Sequence, residues 1–218
     1  MGNDNYTAIV RGARPNIGQG VVHPPGLTGG GEQIVSEGLP PLTEIVRQGN
    51  SWYGLVTTHT HTLNQALPTI AAAATLWNGN ATGGKSLVIE AVGYKQDVSG
   101  AAANISQMFA MPSIAAVATV PATAEAGSIR GLRLGTTYGG NAKLSITVTV
   151  TDNGWIPLSG TLNTAALTAT IGLGEYIPVN GLFIIPPGFY LALHCSGTAA
   201  TAAFQSFFVW HEVQLELL

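Results

Sequence analysis

From Ser51 onward the chain alternates short runs of aliphatic, aromatic and β-branched residues with Gly, Pro, Asn and Asp, and within those runs the hydrophobic period is two. The clearest run is AKLSITVTVTD, Ala142 to Asp152. Leu144, Ile146, Val148 and Val150 share one face there, and Ser145, Thr147, Thr149 and Thr151 share the other. Successive side chains of a strand point to opposite faces, so this run predicts a strand with a core on one side and polar surroundings on the other. Further strands are predicted in SWYGLVTTHTHTLN (51–64), KSLVIEAVGYKQD (85–97), LFII before Pro186, FYLALHC after Gly188, and the closing AFQSFFVWHEVQLELL. In the closing run Phe207, Val209, His211, Val213, Leu215 and Leu217 fall on one face, with Phe208 and Trp210 on the other. An aromatic pair on that second face predicts a subunit contact or a loop cover.

Only the Ala runs at 69–75 and 100–104 offer helical composition. Short strands with Gly/Pro turns, without heptads or βαβ spacing, predict an all-β antiparallel sandwich, with a jelly roll the preferred topology. Before Asn50 the pattern differs. The stretch GARPNIGQGVVHPPGLTGGGEQ lacks alternation and is full of turn residues. The predicted organisation is therefore an extended N-terminal arm over 1–50 and a β-sandwich domain over 51–218. A segment this poor in self-packing residues becomes ordered when something else holds it, which favours an assembly. Arg11, Arg14 and Arg47 are its basic residues. Their forked guanidinium groups suit anchoring on a partner carboxylate, and plain solubility is the alternative.

Composition sharpens this picture. Of 218 residues, 46% are hydrophobic and 9% charged, against about 25% charged in ordinary soluble domains. A surface so short of charge tends to associate, so much of the exterior is expected to be covered by partners. The net charge of −3 arises from 8 basic and 11 acidic residues scattered singly. No basic stripe is available to neutralise a run of phosphates, so nucleic acid is not expected as a partner. The uncharged stretch from Tyr176 to His211 is broken by Pro178, Asn180, Pro186, Pro187 and Gly188, which argues against a transmembrane helix and a membrane partner. MGNDNYTAIVRGARPN lacks the basic-then-apolar build of a secretory leader. Cys195 stands alone in FYLALHCSG, a setting that predicts a buried, inert thiol.

Candidate chemistry is sparse. His59-Thr60-His61 places two imidazoles at i and i+2, on one face of a strand, a spacing that can ligate zinc, iron or copper. With Gly54 it resembles the first motif of cupins, although Gln65 stands where that family has a carboxylate ligand. Pro186-Pro187-Gly188 is similar to the turn of the second cupin motif, but Phe189, Tyr190 and Leu191 fill the positions where its histidine belongs, and His194 follows later. His59 and His61 are the only metal candidates, with two structural strand histidines as the alternative. The serines lie outside any Gly-x-Ser-x-Gly elbow, and the Gly pairs lack the Lys of a phosphate loop. No catalytic residue and no cofactor are expected. Trp52, Tyr53, Trp77, Tyr138 and Trp155 could supply stacking faces for sugars, or pack in the core.

A Gly/Pro-rich arm joined to an Ala/Thr/Gly-rich β body resembles the structural proteins of tailed-bacteriophage virions, in particular capsid cement or decoration proteins. GSIRGLRLGTTYGGNAKLSITVTV and the ending from GLFIIPPGFYLALHCSG to FFVWHEVQLEL carry this resemblance. It implies a homotrimer, made in the host cytoplasm and placed on the capsid surface. Its partners would be the major capsid protein or other virion subunits, with Arg11, Arg14, Arg47, Phe208 and Trp210 as contact residues. A carbohydrate- or receptor-binding spike or tail module with the same fold is the alternative, and a metal-dependent cupin-type enzyme a further one.

Overall fold

The computed structural model describes residues 42–56, 61–62, 71–98, 104–117, 129–149, 154–163, 174–197 and 203–214. They form one short helix, α1 (Thr43–Arg47), and twelve strands. The strands are β1 (Ser51–Leu55), β2 (His61–Thr62), β3 (Ala71–Asn78), β4 (Ser86–Val98), β5 (Asn104–Pro112) and β6 (Ile129–Gly131). They continue with β7 (Ala142–Thr149), β8 (Ile156–Asn163), β9 (Gly174–Pro178), β10 (Ile184–Ile185), β11 (Tyr190–Gly197) and β12 (Ala203–Val213). The compact unit carrying both sheets runs from Glu44 to Leu218. Most of the expected arm, 1–41, lies outside the described residues, and its last part carries α1.

One sheet has the order β10-β4-β12-β1-β6, with β2 also on β12 and β9 also on β4. The other has the order β7-β3-β11-β5-β8. Every pairing is antiparallel. Sequence neighbours β3 and β4 lie in different sheets, as do β4 and β5, and β11 and β12. Setting aside β6 and β7, which add to two edges, and the two-residue β2 on β12, the remaining strands interleave as β1-β12-β4-β9/β10 over β3-β11-β5-β8. This is the double Greek key of a jelly roll.

The two inner faces meet in a single large core. The seven-stranded sheet contributes Trp52, Leu87, Ile89, Val92, Tyr94, Phe204, Phe208 and Trp210, and the five-stranded sheet answers with Ala74, Leu76, Met108, Ala110, Leu144, Leu191, Leu193 and Cys195. Leu144 is buried and Ile146 packs against the core, on the face that alternation assigned to it. Burial pushes the Cys195 thiol up to about 12, as an inert core thiol requires.

Phe208 and Trp210 are corrections. Both have no solvent exposure, so they face the opposite sheet and cannot touch a partner; Phe207, Val209 and His211 point outward. The aromatic pair wins the inner face because it removes more apolar surface from water than Val and His do. Gly54 lies opposite Phe208 and beneath Trp210, where an added Cβ would come within 2.7 Å of Leu144 Cδ1 and 3.0 Å of Trp210 Cζ3. A bulge between Val209 and Trp210, opposite Ala91 and Ile89, absorbs Glu90 as an extra residue of β4. It switches the parity of β4, so that Leu87 and Ile89 before it, and Val92 and Tyr94 after it, all point inward.

The described part of the first Ala run, 71–75, lies in strand β3 and not in a helix, and Asn104, closing the second Ala run, starts β5. β3 is paired on both sides, by β7 and β11, and Ala74 and Leu76 fill the core while Thr75 and Trp77 take the other face. Tertiary pairing overrides the intrinsic preference of Ala. Trp210→Ala is expected to cost about 3–5 kcal/mol of unfolding free energy, whereas Tyr176→Ala, on the outer surface, stays within about 0.5 kcal/mol. Urea titrations followed by tryptophan fluorescence check both.

Candidate functional site

The described residues among those singled out by sequence do not converge. His59, Gln65, Arg11 and Arg14 lie outside the described residues. His61 lies on β2 with its Cα opposite Phe204, at the start of β12. The Pro186–Gly188 turn precedes β11, at the opposite end of the sandwich. The Phe189 amide donates to the Pro186 carbonyl at 3.1 Å, and Gly188 has φ of +85°. With Pro187 and Gly188 as its central residues this is a type II turn, which needs no metal to explain it. Arg47 is occupied inside α1 by the Glu44 carboxylate, through both Nε and a terminal nitrogen, and this pairing holds Glu44 down at about 2. Among the described residues no group of three or more His, Cys, Asp or Glu side chains could hold a metal ion, and no helix is long and apolar enough to cross a membrane.

The five aromatic candidates scatter. Trp52 is buried, with its ring edge-on to Tyr138 at 4.8 Å. Tyr138 donates its hydroxyl to Glu212 Oε1 at 2.8 Å and accepts the Ala142 amide at 2.6 Å. Burial and the Glu212 carboxylate both raise its pKa. Trp77 donates its indole N–H to the Gly188 carbonyl at 3.1 Å and, like Trp155, packs over Met111, Tyr190 and Ala192 on the outer face of the five-stranded sheet. Tyr53 alone lies on the outer face of the seven-stranded sheet.

On that face Tyr53 belongs to a row that the sequence did not reveal. Its ring lies 5.7 Å from that of Phe207 at 34°, and Phe207 lies 6.0 Å from Tyr176 at 28°. These residues stand on β1, β12 and β9, with β4 between the last two. Gly93 of β4 makes the row possible. A Cβ there would fall 2.2 Å from both the Glu175 carbonyl oxygen of β9 and Phe207 Cζ, so the glycine serves the close approach of β9 and also leaves room for the Phe207 ring to lie across the strand. Tyr176 is 60% exposed. Beside the row, His211 Nδ1 stands 2.8 Å from Glu90 Oε1, the bulge residue. Burial lowers the His211 pKa, with the Glu90 carboxylate acting in the opposite sense.

The outer face of the five-stranded sheet has another character. Thr75 and Ser145, paired across β3 and β7, are fully buried, and their hydroxyls have no hydrogen-bond partner. His194 is 9% exposed, its two ring nitrogens are equally unpartnered, and its ring lies 5.9 Å from Trp155. With nothing to stabilise an imidazolium, desolvation lowers its pKa to about 4.

A third feature is the loop end formed by 79–85, 113–117, 132–141 and 179–189. Leu134 is 96% exposed, Ile114 78% and Leu182 69%, and Ile184, Leu132 and Ile156 are also exposed there. An apolar cavity of about 230 Å³ opens between Pro112-Ser113 and the 182–191 segment.

Neither a model of a known protein family nor a curated protein sequence matches the chain.

His194 gives a pH prediction. Its folded pKa lies below its unfolded value, so the unfolded chain binds the proton first, and stability falls as pH drops from 6.5 towards about 4. At about 1.4 kcal/mol per pH unit the loss approaches roughly 3 kcal/mol. Denaturation of the protein and of His194→Leu at several pH values checks this: the wild-type protein is expected to lose stability relative to His194→Leu as pH falls through that window, while the variant lacks this dependence.

Proposed function

We propose that this chain is a virion structural protein of the capsid cement or decoration type, binding the major capsid protein lattice through the loop end of its jelly roll and its N-terminal segment, most naturally as a homotrimer. The observation that carries this reading is the loop end itself. Monomeric surfaces rarely expose many large aliphatic residues at one end, whereas six are exposed at this end of the sandwich, two of them, Leu182 and Ile184, lining an apolar cavity. Such a surface gains from being covered by protein. Scarce charge supports the same reading, since few ions need to be stripped of water when it docks. Weak contacts of this kind, repeated over a lattice, add up to a strong attachment. The Gly/Pro-rich segment before residue 42 would extend the reach of each copy to a neighbouring subunit.

Purified capsids lacking the protein are expected to take it up again. Leu134→Asp with Ile114→Asp is expected to reduce that uptake at least tenfold, as for loss of central contact residues, and removal of residues 1–41 to abolish it, both with unchanged melting of the β body. Cosedimentation with capsids measures uptake, and sedimentation equilibrium tests the trimer. Undiminished uptake by both variants would exclude this mode of attachment.

A further inference from the structure

We infer that the outer face of the seven-stranded sheet is a carbohydrate-binding platform, with Tyr53, Phe207 and Tyr176 as stacking rings for a chain of neutral pyranose units. This goes beyond the capsid reading and does not depend on it, because the face is separate from the loop end. Three observations carry it. The rings form one continuous row across four adjacent strands, each inclined by 34° or 28° to its neighbour. Pyranose rings offer an apolar C–H face, and an extended row of aromatic faces on a rigid sheet is the chemistry that receives successive sugars. Spacings of 5.7 Å and 6.0 Å are of the order of one sugar ring.

The row also includes an exposed ring that core packing does not require. Gly93 lets Phe207 lie across β4 between Tyr53 and Tyr176. Tyr176, at 60% exposure, buries little by standing there, and the sheet would be served equally well by a polar residue.

Finally, polar groups border the row. Gln205 and the exposed Lys95 are paired opposite each other one outward-facing position beyond Phe207 and Gly93, and the exposed Arg130 is paired opposite Tyr53. Glu90, largely buried, is paired with His211 on the same face. Apolar rings bordered by donors and an acceptor suit a neutral polyhydroxylated ligand.

The test is affinity electrophoresis of the full chain through native gels containing a β-glucan, a galactomannan, a xylan or dextran. At least one polysaccharide is expected to retard the protein. Tyr176→Ala and Phe207→Ala should each weaken that retardation roughly tenfold, in keeping with loss of a central aromatic contact. Tyr176→Trp should preserve it, as should Leu134→Asp, which alters only the loop end. Because Tyr176 is on the surface, its replacement separates binding from folding. Absence of retardation by all four polysaccharides overturns the inference, and so does retardation that survives Tyr176→Ala. Self-association abolished by Tyr176→Ala, without any retardation, would overturn it in favour of a second copy on this face.

Discussion

The whole architecture hangs on the contact between the inner faces of two central strands. β12 turns Phe204, Ser206, Phe208 and Trp210 inward, and β11 turns Leu191, Leu193 and Cys195 towards them. Each fully buried large side chain contributes about 1.5–3 kcal/mol, and few ion pairs are available in a chain with 9% charge. Register is fixed by the same contact. A slip of one residue would turn Phe208 and Trp210 out to water and bring His211 inward. β4 and β1 align on β12, and β3 and β5 on β11, so the order of both sheets follows from this central pair. The Glu90 bulge belongs to the same constraint: it lets a thirteen-residue strand follow β12 while keeping its own apolar residues inward on both sides of the irregularity.

Strands with strict alternation were legible in the sequence. β7 follows the period of two, β11 was legible as a β-prone run after a Gly/Pro turn, and the jelly roll follows from many short strands with such turns. β12 was legible as a strand but not in its facing, because both of its faces are apolar and periodicity is silent about which one wins. Size decides: Phe208 and Trp210 bury more than Val209 and His211. β3 was not legible, since four successive Ala residues carry no period and a helical preference. Only the strands on either side make it a strand, and no local signal encodes those pairings. The Cys195 thiol was legible because an apolar run surrounds it on both sides.

The candidate sites were legible in inverse proportion to how far apart their residues lie in sequence. His59 and His61 stood out by spacing, yet the Pro186–Gly188 turn that completes the cupin-like pattern lies at the far end of the sandwich from His61. Tyr53 was visible as an aromatic in a strand. Its neighbours Phe207 and Tyr176 come from β12 and β9, and the topology, together with the missing side chain at Gly93, brings them into one row. Trp52 and Tyr138 looked equally suitable for stacking, but the first is buried in the core and the second is fixed between Glu212 and the Ala142 amide.

Polar groups buried on the outer face of the five-stranded sheet show how the fold uses its few hydrophilic residues. Thr75, Ser145 and His194 are withdrawn from water without partners, at an energetic cost that apolar residues in the same places would avoid. The seven-stranded sheet does the reverse, exposing Tyr176 and opening space for Phe207 at Gly93. Core packing dictates neither the buried hydroxyls nor the exposed Tyr176, because both lie on outward-facing positions, whereas Gly93 is also required by the Glu175 carbonyl of β9. Selection for stability alone would exchange these residues, placing the aromatic groups under cover and the hydroxyls in water. Their present distribution makes the exposed aromatic row, more than the buried polar patch, the part of this surface that asks for a ligand.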